Sequence, residues 1–209
     1  EKIQKDASSS SSLENTRPLK VFGFTDSGVQ GNIVITFKSF FPMDIVDFVE
    51  SLFENENVYP HLSHQIGCFL PLQHLVDANM TLFQNAIKPH IEKIFPNDVS
   101  EQEAKEKSWG VFIKLSNIVK STGFTKQLVI DEIATRVPDK YPVDLKNPKI
   151  AVIVRGFKSV CGFSFSYNYF KYMRYGIGNF VQIQSKSSTS LTSSTSSTSS
   201  TPLTPSTSS

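Results

Sequence analysis

The sequence predicts an α/β protein of the α+β kind, built from two small units in tandem between low-complexity ends. Three observations support this fold class. Hydrophobic residues make up 39% of the 209-residue chain and include 17 Phe, which is enough to form real cores. Between about residues 19 and 182, short apolar runs typical of strands alternate with apolar residues at helical spacing. The low-complexity ends leave a middle of the size expected for two small layered units.

The two ends of the chain have the composition of disordered segments. Residues 1–18 contain the run Ser8 to Ser12, and from Ser185 the chain consists almost entirely of Ser and Thr. Such segments cannot bury enough apolar surface to offset the conformational entropy that is lost on ordering. We therefore predict disordered tails over 1–18 and 183–209.

The first predicted unit covers residues 19–108 and begins with a strand and a helix. The apolar run within 32–37 predicts the strand, and Pro42 suits the first turn of the helix that follows. That helix carries one apolar face at three- and four-residue spacing, formed by Ile45, Phe48, Val49, Leu52 and Phe53.

A second strand and a second helix complete this unit. The strand is predicted at 66–72 and the helix from about Asp77, and we expect Pro89 to kink or split that helix. The order strand, helix, strand, helix resembles a small ferredoxin-like layer. The acidic, turn-forming segment 97–107 should separate it from the second unit. The apolar residues of the second helix are Met80, Phe83, Ile87, Ile91 and Ile94.

The second predicted unit covers residues 109–182 and opens with a strand at 109–115. Thr125 can then cap a helix that Pro138 ends. The apolar residues of that helix are Val129, Ile130, Ile133, Ala134 and Val137.

Two further strands follow the sequence VDLKNP, residues 143–148. Asp144 and Asn147 are turn formers, and Pro148 prevents a helix before the next apolar run. That unbroken run at 150–154 predicts a strand buried on both faces. The strand predicted at 160–167 alternates Phe and Tyr with Gly and Ser, which indicates that only one of its faces is buried.

Charge divides the chain into two halves of opposite sign. Residues 19–108 hold 6 Lys/Arg against 12 Asp/Glu, a net charge of −6, whereas residues 109–184 hold 11 Lys/Arg against 4 Asp/Glu, a net charge of +7. A clustered positive field attracts a polyphosphate in a way that the average charge of a chain does not. The basic half is therefore the candidate for binding nucleic acid, and a solvated Lys-rich surface is the alternative.

Catalytic and metal-binding motifs are not evident in the sequence. Cys68 and Cys161 stand alone in apolar runs, which favours a reducing, intracellular compartment, and the histidines lack a partner at ligand spacing. The glycine-containing turns at 27–31 and 176–178 do not complete a nucleotide-binding fingerprint. We expect no cofactor, no metal site and no enzymatic activity, and no apolar run is long enough to predict a membrane span. The histidines are His61, His64, His74 and His90.

The second unit resembles a known RNA-binding family. The resemblance rests on VDLKNP, on the strand from Lys149 to Val154, on the run 158–162 (KSVCG) and on the segment 169–176. These features resemble the THUMP domain, and in particular the eukaryotic stand-alone THUMP proteins that serve as adaptors of the tRNA cytidine acetyltransferase. The resemblance implies a ferredoxin-like domain at 19–108 and a THUMP domain at 109–182.

The function that this resemblance implies is that of a non-catalytic adaptor. In that family the two domains together bind tRNA, and the partner, an RNA cytidine acetyltransferase, makes 4-acetylcytidine. The resemblance also implies a nuclear or nucleolar location and RNA, not DNA, as the nucleic acid.

Basic residues at the ends of the predicted elements are the candidate RNA contacts. Rigidly held cations can track phosphates, and a helix start can itself receive one, so that the choice of RNA would come mainly from its shape. Interleaved aromatic residues are compatible with base stacking or with core packing. The aromatic residues are Tyr167, Tyr169, Phe170, Tyr172, Tyr175 and Phe180, and the cations are Lys120, Lys126, Lys146, Lys149, Arg155, Lys158, Lys171 and Arg174.

Two alternatives to the adaptor remain open. The chain could be the RNA-binding portion of a larger RNA-modifying enzyme, because THUMP domains also occur beside separate catalytic domains. It could also be a protein-interaction scaffold in which RNA binding has decayed. Val119, Gly123 and Arg155 favour the scaffold, because relatives usually carry basic or histidine residues at the first two positions and an acidic residue at the third.

Overall fold

A computed structural model describes residues 22–55, 57–119 and 122–191, which form two β-sheets with helices packed against them. The predicted tail at 1–18 lies outside the described residues, as does most of the tail at 183–209. The mixed α/β fold class predicted from the sequence is confirmed. None of the helices in the described ranges is long and apolar enough to cross a membrane.

A two-stranded hairpin opens the described part. Strand β1 (Phe22–Asp26) pairs antiparallel with β2 (Ile33–Phe37), so the predicted strand at 32–37 is confirmed and β1 is an addition to the prediction. The turn between them places Gly28 and Gly31 at φ +66° and +76°, backbone angles that favour glycine. The Asp26 carboxylate accepts a hydrogen bond from the Gly28 N–H at 2.8 Å, which fixes the turn.

Helix α1 (Ile45–Glu54) follows the hairpin and begins later than predicted. Asp44, not Pro42, marks its start, because the Asp44 carboxylate caps the helix by accepting from the Val46 N–H at 2.7 Å. The short helix α2 (Tyr59–Leu62) comes next. The predicted apolar face is partly buried, with Val49 and Phe53 almost completely so.

The prediction of a strand at 66–72 is wrong. That segment is irregular apart from one bridge between Cys68 and Gly176, and strand β3 (His74–Asp77) lies just beyond it. Helix α3 (Met80–Ile94) is continuous, so Pro89 does not split it, and the alternative expectation of a kink stays a prediction. Pro89 lies on the exposed face, while the buried Phe83, Ile87 and Ile91 hold the helix against the core.

The segment 97–107 contains a helix where only turns were predicted. Helix α4 (Glu101–Glu106) starts at Ser100, whose hydroxyl accepts from the Glu103 N–H at 3.2 Å. The Ser-x-x-Glu spacing is a capping-box sequence, and Glu101 and Glu103 complement the positive end of the helix. The signal was therefore present in the sequence.

A four-stranded sheet in the order β3-β6-β5-β4 organises the rest. Strands β4 (Trp109–Ser116) and β5 (Ile150–Phe157) are parallel, and helix α5 (Lys126–Arg136) connects them, capped by Thr125 as predicted. Strand β6 (Val160–Ser166) pairs antiparallel with both β5 and β3. The four-stranded sheet thus contains strands from both predicted units, β3 from 19–108 and the other three from 109–182.

Both faces of this sheet are covered. On one face α3, α4 and α5 pack on Val152, Val154 and Phe163, and on the other α1 and the segment 169–180 pack on Ala151 and Ile153. The prediction that β5 is buried on both faces is confirmed. The prediction that β6 is half-buried is wrong, because its residues from 161 to 166 are all buried.

The carboxy-terminal segment crosses the sheet and ends in a helix that was not predicted. A 3-10 turn (Met173–Tyr175) leads into α6 (Ile177–Leu191), so the tail predicted from residue 183 begins inside this helix. The turn is fastened to α1, because the Tyr175 hydroxyl donates to Glu50 Oε1 at 2.8 Å and the Tyr172 hydroxyl donates to Glu54 Oε1 at 2.6 Å.

Candidate nucleic-acid interface

The predicted basic residues occupy opposite ends of strand β5. Lys146 and Lys149 precede the strand, whereas Arg155 and Lys158 lie at its carboxyl end. Arg155 lies six positions after Lys149, so at about 3.3 Å per residue their Cα atoms lie roughly 20 Å apart. The cations predicted from the sequence therefore do not form one surface, and each end is described separately.

A cleft lies beside the carboxyl end of the sheet. It has a volume of about 420 Å³ and runs between strand β2, the irregular segment 68–73 and the ends of β4 and β5. Lys114 and Arg155 are direct partners in the parallel register, and both line this cleft with Ser116 and Phe157. The two neighbouring strands thus present two cations side by side at one wall.

The cations act on the pKa of two neighbouring side chains, Tyr169 and Cys68. Burial raises the pKa of the Tyr169 hydroxyl, and Arg155 and Arg174 oppose that rise. Desolvation also raises the pKa of the Cys68 thiol, although the residue as a whole is exposed, and Arg155 and Lys114 act against it. Three cations therefore converge on the region around Tyr169 and Cys68.

Arg174 belongs to this region through the ring beneath it. Its guanidinium carbon lies 5.3 Å from the centre of the Phe170 ring, and Phe170 packs edge-on against Phe112 of β4 at 5.4 Å. A guanidinium over an aromatic face keeps its donors directed outward while its flat surface is covered. Arg174 is thus held in place beside the cleft.

Lys158 occupies the tight turn between β5 and β6. Its φ of 50° is in the left-handed region, and its backbone N–H donates to the Ser116 carbonyl at 3.1 Å, which ties the turn to the end of β4. The side chain lies over Gly28 of the hairpin, where a Cβ atom would come within 2.2 Å of the lysine Nζ. Lys158 therefore connects the hairpin to the carboxyl end of the sheet.

The start of α5 lies at the same end, because this helix returns from the end of β4 to the beginning of β5. Lys126 is its first residue and is exposed. The Thr125 hydroxyl already accepts from the Leu128 N–H at 3.3 Å, so one of the free amides is satisfied. Lys120 lies outside the described residues.

We define Lys114, Arg155, Lys158 and Arg174 as the carboxyl-end cluster. Among the described residues, no carboxylate comes within 4.0 Å of their side-chain nitrogens. Lys114 was not predicted from the sequence. Lys114 belongs to the cluster because the parallel pairing of β4 with β5 sets it beside Arg155. The sequence alone does not show that pairing.

The other end of the sheet, which we call the turn end, is formed by VDLKNP. The Asp144 carboxylate accepts from the backbone N–H groups of Lys146 and Asn147 at 2.8 and 3.1 Å, and these bonds hold its pKa below the usual range. The Asp144 N–H donates to the Trp109 carbonyl at 2.8 Å. The predicted structural role of Asp144 in the turn is confirmed.

Lys171 differs from the other predicted contacts because it has an acidic partner. Its Nζ lies 3.1 Å from Glu54 Oε1 and 2.9 Å from the Tyr172 hydroxyl. The charge of Lys171 is thus partly neutralised by α1. Its predicted role in RNA binding stays a prediction.

Most of the predicted aromatic set packs in the core. Tyr169, Tyr172, Tyr175 and Phe180 are buried in the cluster between the sheet and α1, so their rings are not accessible to a base. Only Tyr167, which is 65% exposed, and the half-buried Phe170 present ring surface to solvent.

The described residues contain no group of three His, Cys, Asp or Glu side chains that could hold a metal ion. His74 and His90 stack with ring centres 3.9 Å apart and pack on Phe163. Desolvation lowers the pKa of His74, and the neighbouring His90 lowers it further. Burial raises the pKa of the Cys161 thiol to about 12, which makes it a poor nucleophile.

Comparison with protein families identifies the domain that carries both ends of β5. The family model of the THUMP domain matches residues 101–166, which extend from α4 to the end of β6. A THUMP domain implies RNA binding in tRNA modification. This match confirms the sequence resemblance to a THUMP domain. No curated protein matches the chain.

Proposed function

We propose that this chain is a non-catalytic adaptor that binds tRNA and presents it to an RNA cytidine acetyltransferase, which forms 4-acetylcytidine. The carboxyl-end cluster is the proposed tRNA contact. We also propose a nuclear or nucleolar site of action, where the acetyltransferase would meet its tRNA. The THUMP domain supports the RNA-binding part of this proposal.

The observation that carries the proposal is the grouping of cations, none with a carboxylate partner among the described residues, at one end of the sheet that contains the THUMP match. Lys114 and Arg155 stand on adjacent strands, where the backbone ladder holds them, and Arg174 is fixed over Phe170. Cations that are already positioned lose little freedom when a phosphate binds, so more of the Coulomb attraction appears as affinity. An ion pair within the protein would have cancelled that attraction.

The form of the cluster favours recognition of shape over sequence. Its charged groups can contact phosphates, whereas Tyr169, Tyr172, Tyr175 and Phe180 of the predicted aromatic set are buried and cannot stack on bases. Phosphate contacts position a protein on RNA and carry no sequence information directly. A folded RNA such as tRNA would then be selected by the arrangement of its backbone.

Reconstitution with purified components tests the proposal. Full-length chain, an unmodified tRNA transcript and an RNA cytidine acetyltransferase are mixed with acetyl-coenzyme A and ATP, and 4-acetylcytidine is measured by mass spectrometry after nuclease digestion. We expect the rate to rise at least about tenfold when the chain is present. We expect no acetylcytidine when the chain and the tRNA are incubated without the enzyme.

The salt dependence of tRNA affinity, compared with the acetylation rate, makes the outcome specific. Affinity for tRNA, measured by fluorescence anisotropy, should fall with salt by roughly 0.7–0.9 in log–log slope for each phosphate contacted. A chain that binds tRNA with such a slope yet leaves the acetylation rate unchanged would contradict the adaptor role. A chain that fails to bind tRNA would contradict the whole proposal.

A further inference from the structure

The turn end of the sheet carries exposed apolar side chains as well as two lysines. Val143, Leu145 and Tyr167 are 62%, 66% and 65% exposed. Tyr167 directly follows β6, whose Ser166 pairs with Ala151, so it lies at the same end of the sheet as Lys149. Val143 bridges to Trp109 at that end of β4. Three strand spacings separate Tyr167 from Val143, or roughly 14 Å.

This surface is held rigidly. The Asp144 carboxylate closes the turn, and Lys149 N–H donates to the Ser108 hydroxyl at 3.1 Å. Gly110 lets the turn pack directly on β4, because a Cβ there would lie 2.6 Å from the Asp144 carbonyl oxygen. Leu145 therefore stays in solvent at the tip of a fixed turn and cannot fold inward.

The charges at the edge of these side chains are positive, because the one carboxylate of the turn, Asp144, is engaged by two backbone N–H groups. Lys146 and Lys149 are exposed, and no carboxylate of the described residues forms an ion pair with them. In and beside α4, Glu101 and Glu103 lie within 4.0 Å of Lys105 and Lys107. An apolar centre with a cationic border results.

We infer that this surface, formed by Val143, Leu145, Tyr167, Lys146 and Lys149, docks a protein partner whose contact has an apolar centre and acidic residues around it. An apolar centre with a polar rim is the usual anatomy of a protein–protein contact, whereas protein–RNA contacts are more polar and follow phosphates. The inference rests on the proposed function, in which that partner is the acetyltransferase. RNA and enzyme would then occupy opposite ends of β5.

Binding to the purified acetyltransferase in the absence of RNA tests the inference. The full chain is immobilised, and affinity is measured by biolayer interferometry for Leu145→Ser, for the pair Lys146→Glu and Lys149→Glu, and for Leu82→Ser. Leu82 is the matched control, because it is an exposed leucine on α3 outside this surface. We expect both turn-end variants to lose at least about tenfold in affinity and the control to lose less than about twofold.

Affinity for tRNA, measured on the same proteins, separates the possible outcomes. The inference predicts that Leu145→Ser binds tRNA as the wild type does. Loss of tRNA affinity in that variant would mean that the turn end contacts RNA, and unchanged affinity for the enzyme would mean that the partner docks elsewhere. Either result overturns the inference and leaves the adaptor role standing. If the wild-type chain shows no affinity for the enzyme, the adaptor role fails and this inference fails with it.

Discussion

The two ends of strand β5 are both basic, but their surroundings differ. At the carboxyl end, Lys114 and Arg155 line a cleft, and Lys158 lies over Gly28 of the hairpin in the amino-terminal half. At the turn end, Lys146 and Lys149 surround exposed apolar side chains on a rigid turn. Net charge counted along the sequence combines these two environments. Since both ends are positive, the residues around each cation distinguish a phosphate-binding surface from a protein-binding surface.

The two ends also differ in how their cations are held. Lys114 and Arg155 lie within strands, where the backbone ladder fixes their spacing, and the backbone of Lys158 is bonded to both Ser116 and Val119. Lys146 lies in a turn, and the Asp144 carboxylate binds its backbone N–H. Both ends are fixed, but among the described residues only the carboxyl end sets its cations beside a cleft, so we expect it to contribute most to RNA affinity and the turn end to contribute little.

Charge reversal at the carboxyl end is the strongest test of this difference. We expect Lys114→Glu combined with Arg155→Glu to lower affinity for tRNA by about 100-fold, since two attractive contacts become repulsive. The log–log salt slope should fall by roughly 1.4–1.8, corresponding to two phosphates. Fluorescence anisotropy over a salt series measures both quantities.

The matched control for this pair is Lys146→Glu combined with Lys149→Glu. It changes the net charge of the chain by the same amount, but at the turn end, so a decrease of less than about threefold in tRNA affinity is expected. If both pairs weakened tRNA binding equally, long-range net charge would explain the affinity and the comparison between the two ends would fail. Circular dichroism spectra establish that each variant is folded.

A smaller effect is expected from filling the space under the turn end. In Gly110→Ala the new methyl group would lie 2.6 Å from a backbone oxygen of Asp144, so the turn has to move. Overpacking of this kind costs about 1–3 kcal/mol, and we expect the free energy of unfolding to fall by about 2 kcal/mol in urea titrations. Affinity for tRNA should not change, since the carboxyl end lies roughly 20 Å away.

Gly178→Ala is the control for that substitution. Gly178 lies in α6 with no atom within 4 Å of the added methyl group, and alanine favours a helix over glycine. This variant should be as stable as the wild type or slightly more stable. A Gly110→Ala protein that unfolds at the same urea concentration as the wild type would show that the turn is looser than the structure indicates.

The elements that the sequence predicted correctly are those with local signals. The unbroken apolar run of β5 and the helix from Lys126 to Arg136, with Thr125 before it and Pro138 after it, contain their own boundaries. Strand β3 is only four residues long and exists because β6 provides its partner, so no local pattern identifies it. The alternation in β6 predicted one exposed face, but Ser164 bonds to Pro71 and Ser166 bonds to Tyr175, so the segments before β3 and around Tyr175 cover that face.

The candidate site was predicted less completely than the fold, for a related reason. Basic residues can be counted in a sequence, but their grouping depends on which strand ends are adjacent. The sequence predicted Lys146 and Lys149 before the strand at 150–154 and Lys158 after it, but it did not show which other cations would lie beside them. Lys114 was missed because its position beside Arg155 follows from the parallel register alone.

The smallest effect concerns acid at the turn end. Hydrogen bonds from the N–H groups of Asn147 and Lys146 lower the pKa of Asp144, so its carboxylate stabilises the folded state at all pH values above the ordinary carboxyl range. This contribution is lost as pH falls through the lowered pKa, because the protonated group accepts these bonds poorly. The amide signals of Lys146 and Asn147 in a ¹H–¹⁵N NMR titration should therefore shift with a midpoint below the ordinary pKa of about 3.9.

Asp144→Asn isolates the charge from the hydrogen bonds. The amide oxygen of Asn can still accept from the same N–H groups, so the variant should stay folded and its turn amides should lose the acid-dependent shift. The amides of Lys114 and Arg155 at the carboxyl end should not report this transition in either protein, because Asp144 lies at the far end of the sheet. A midpoint at or above the ordinary value in the wild type would contradict the observed bonding and would mean that Leu145 is not held outward by a fixed turn.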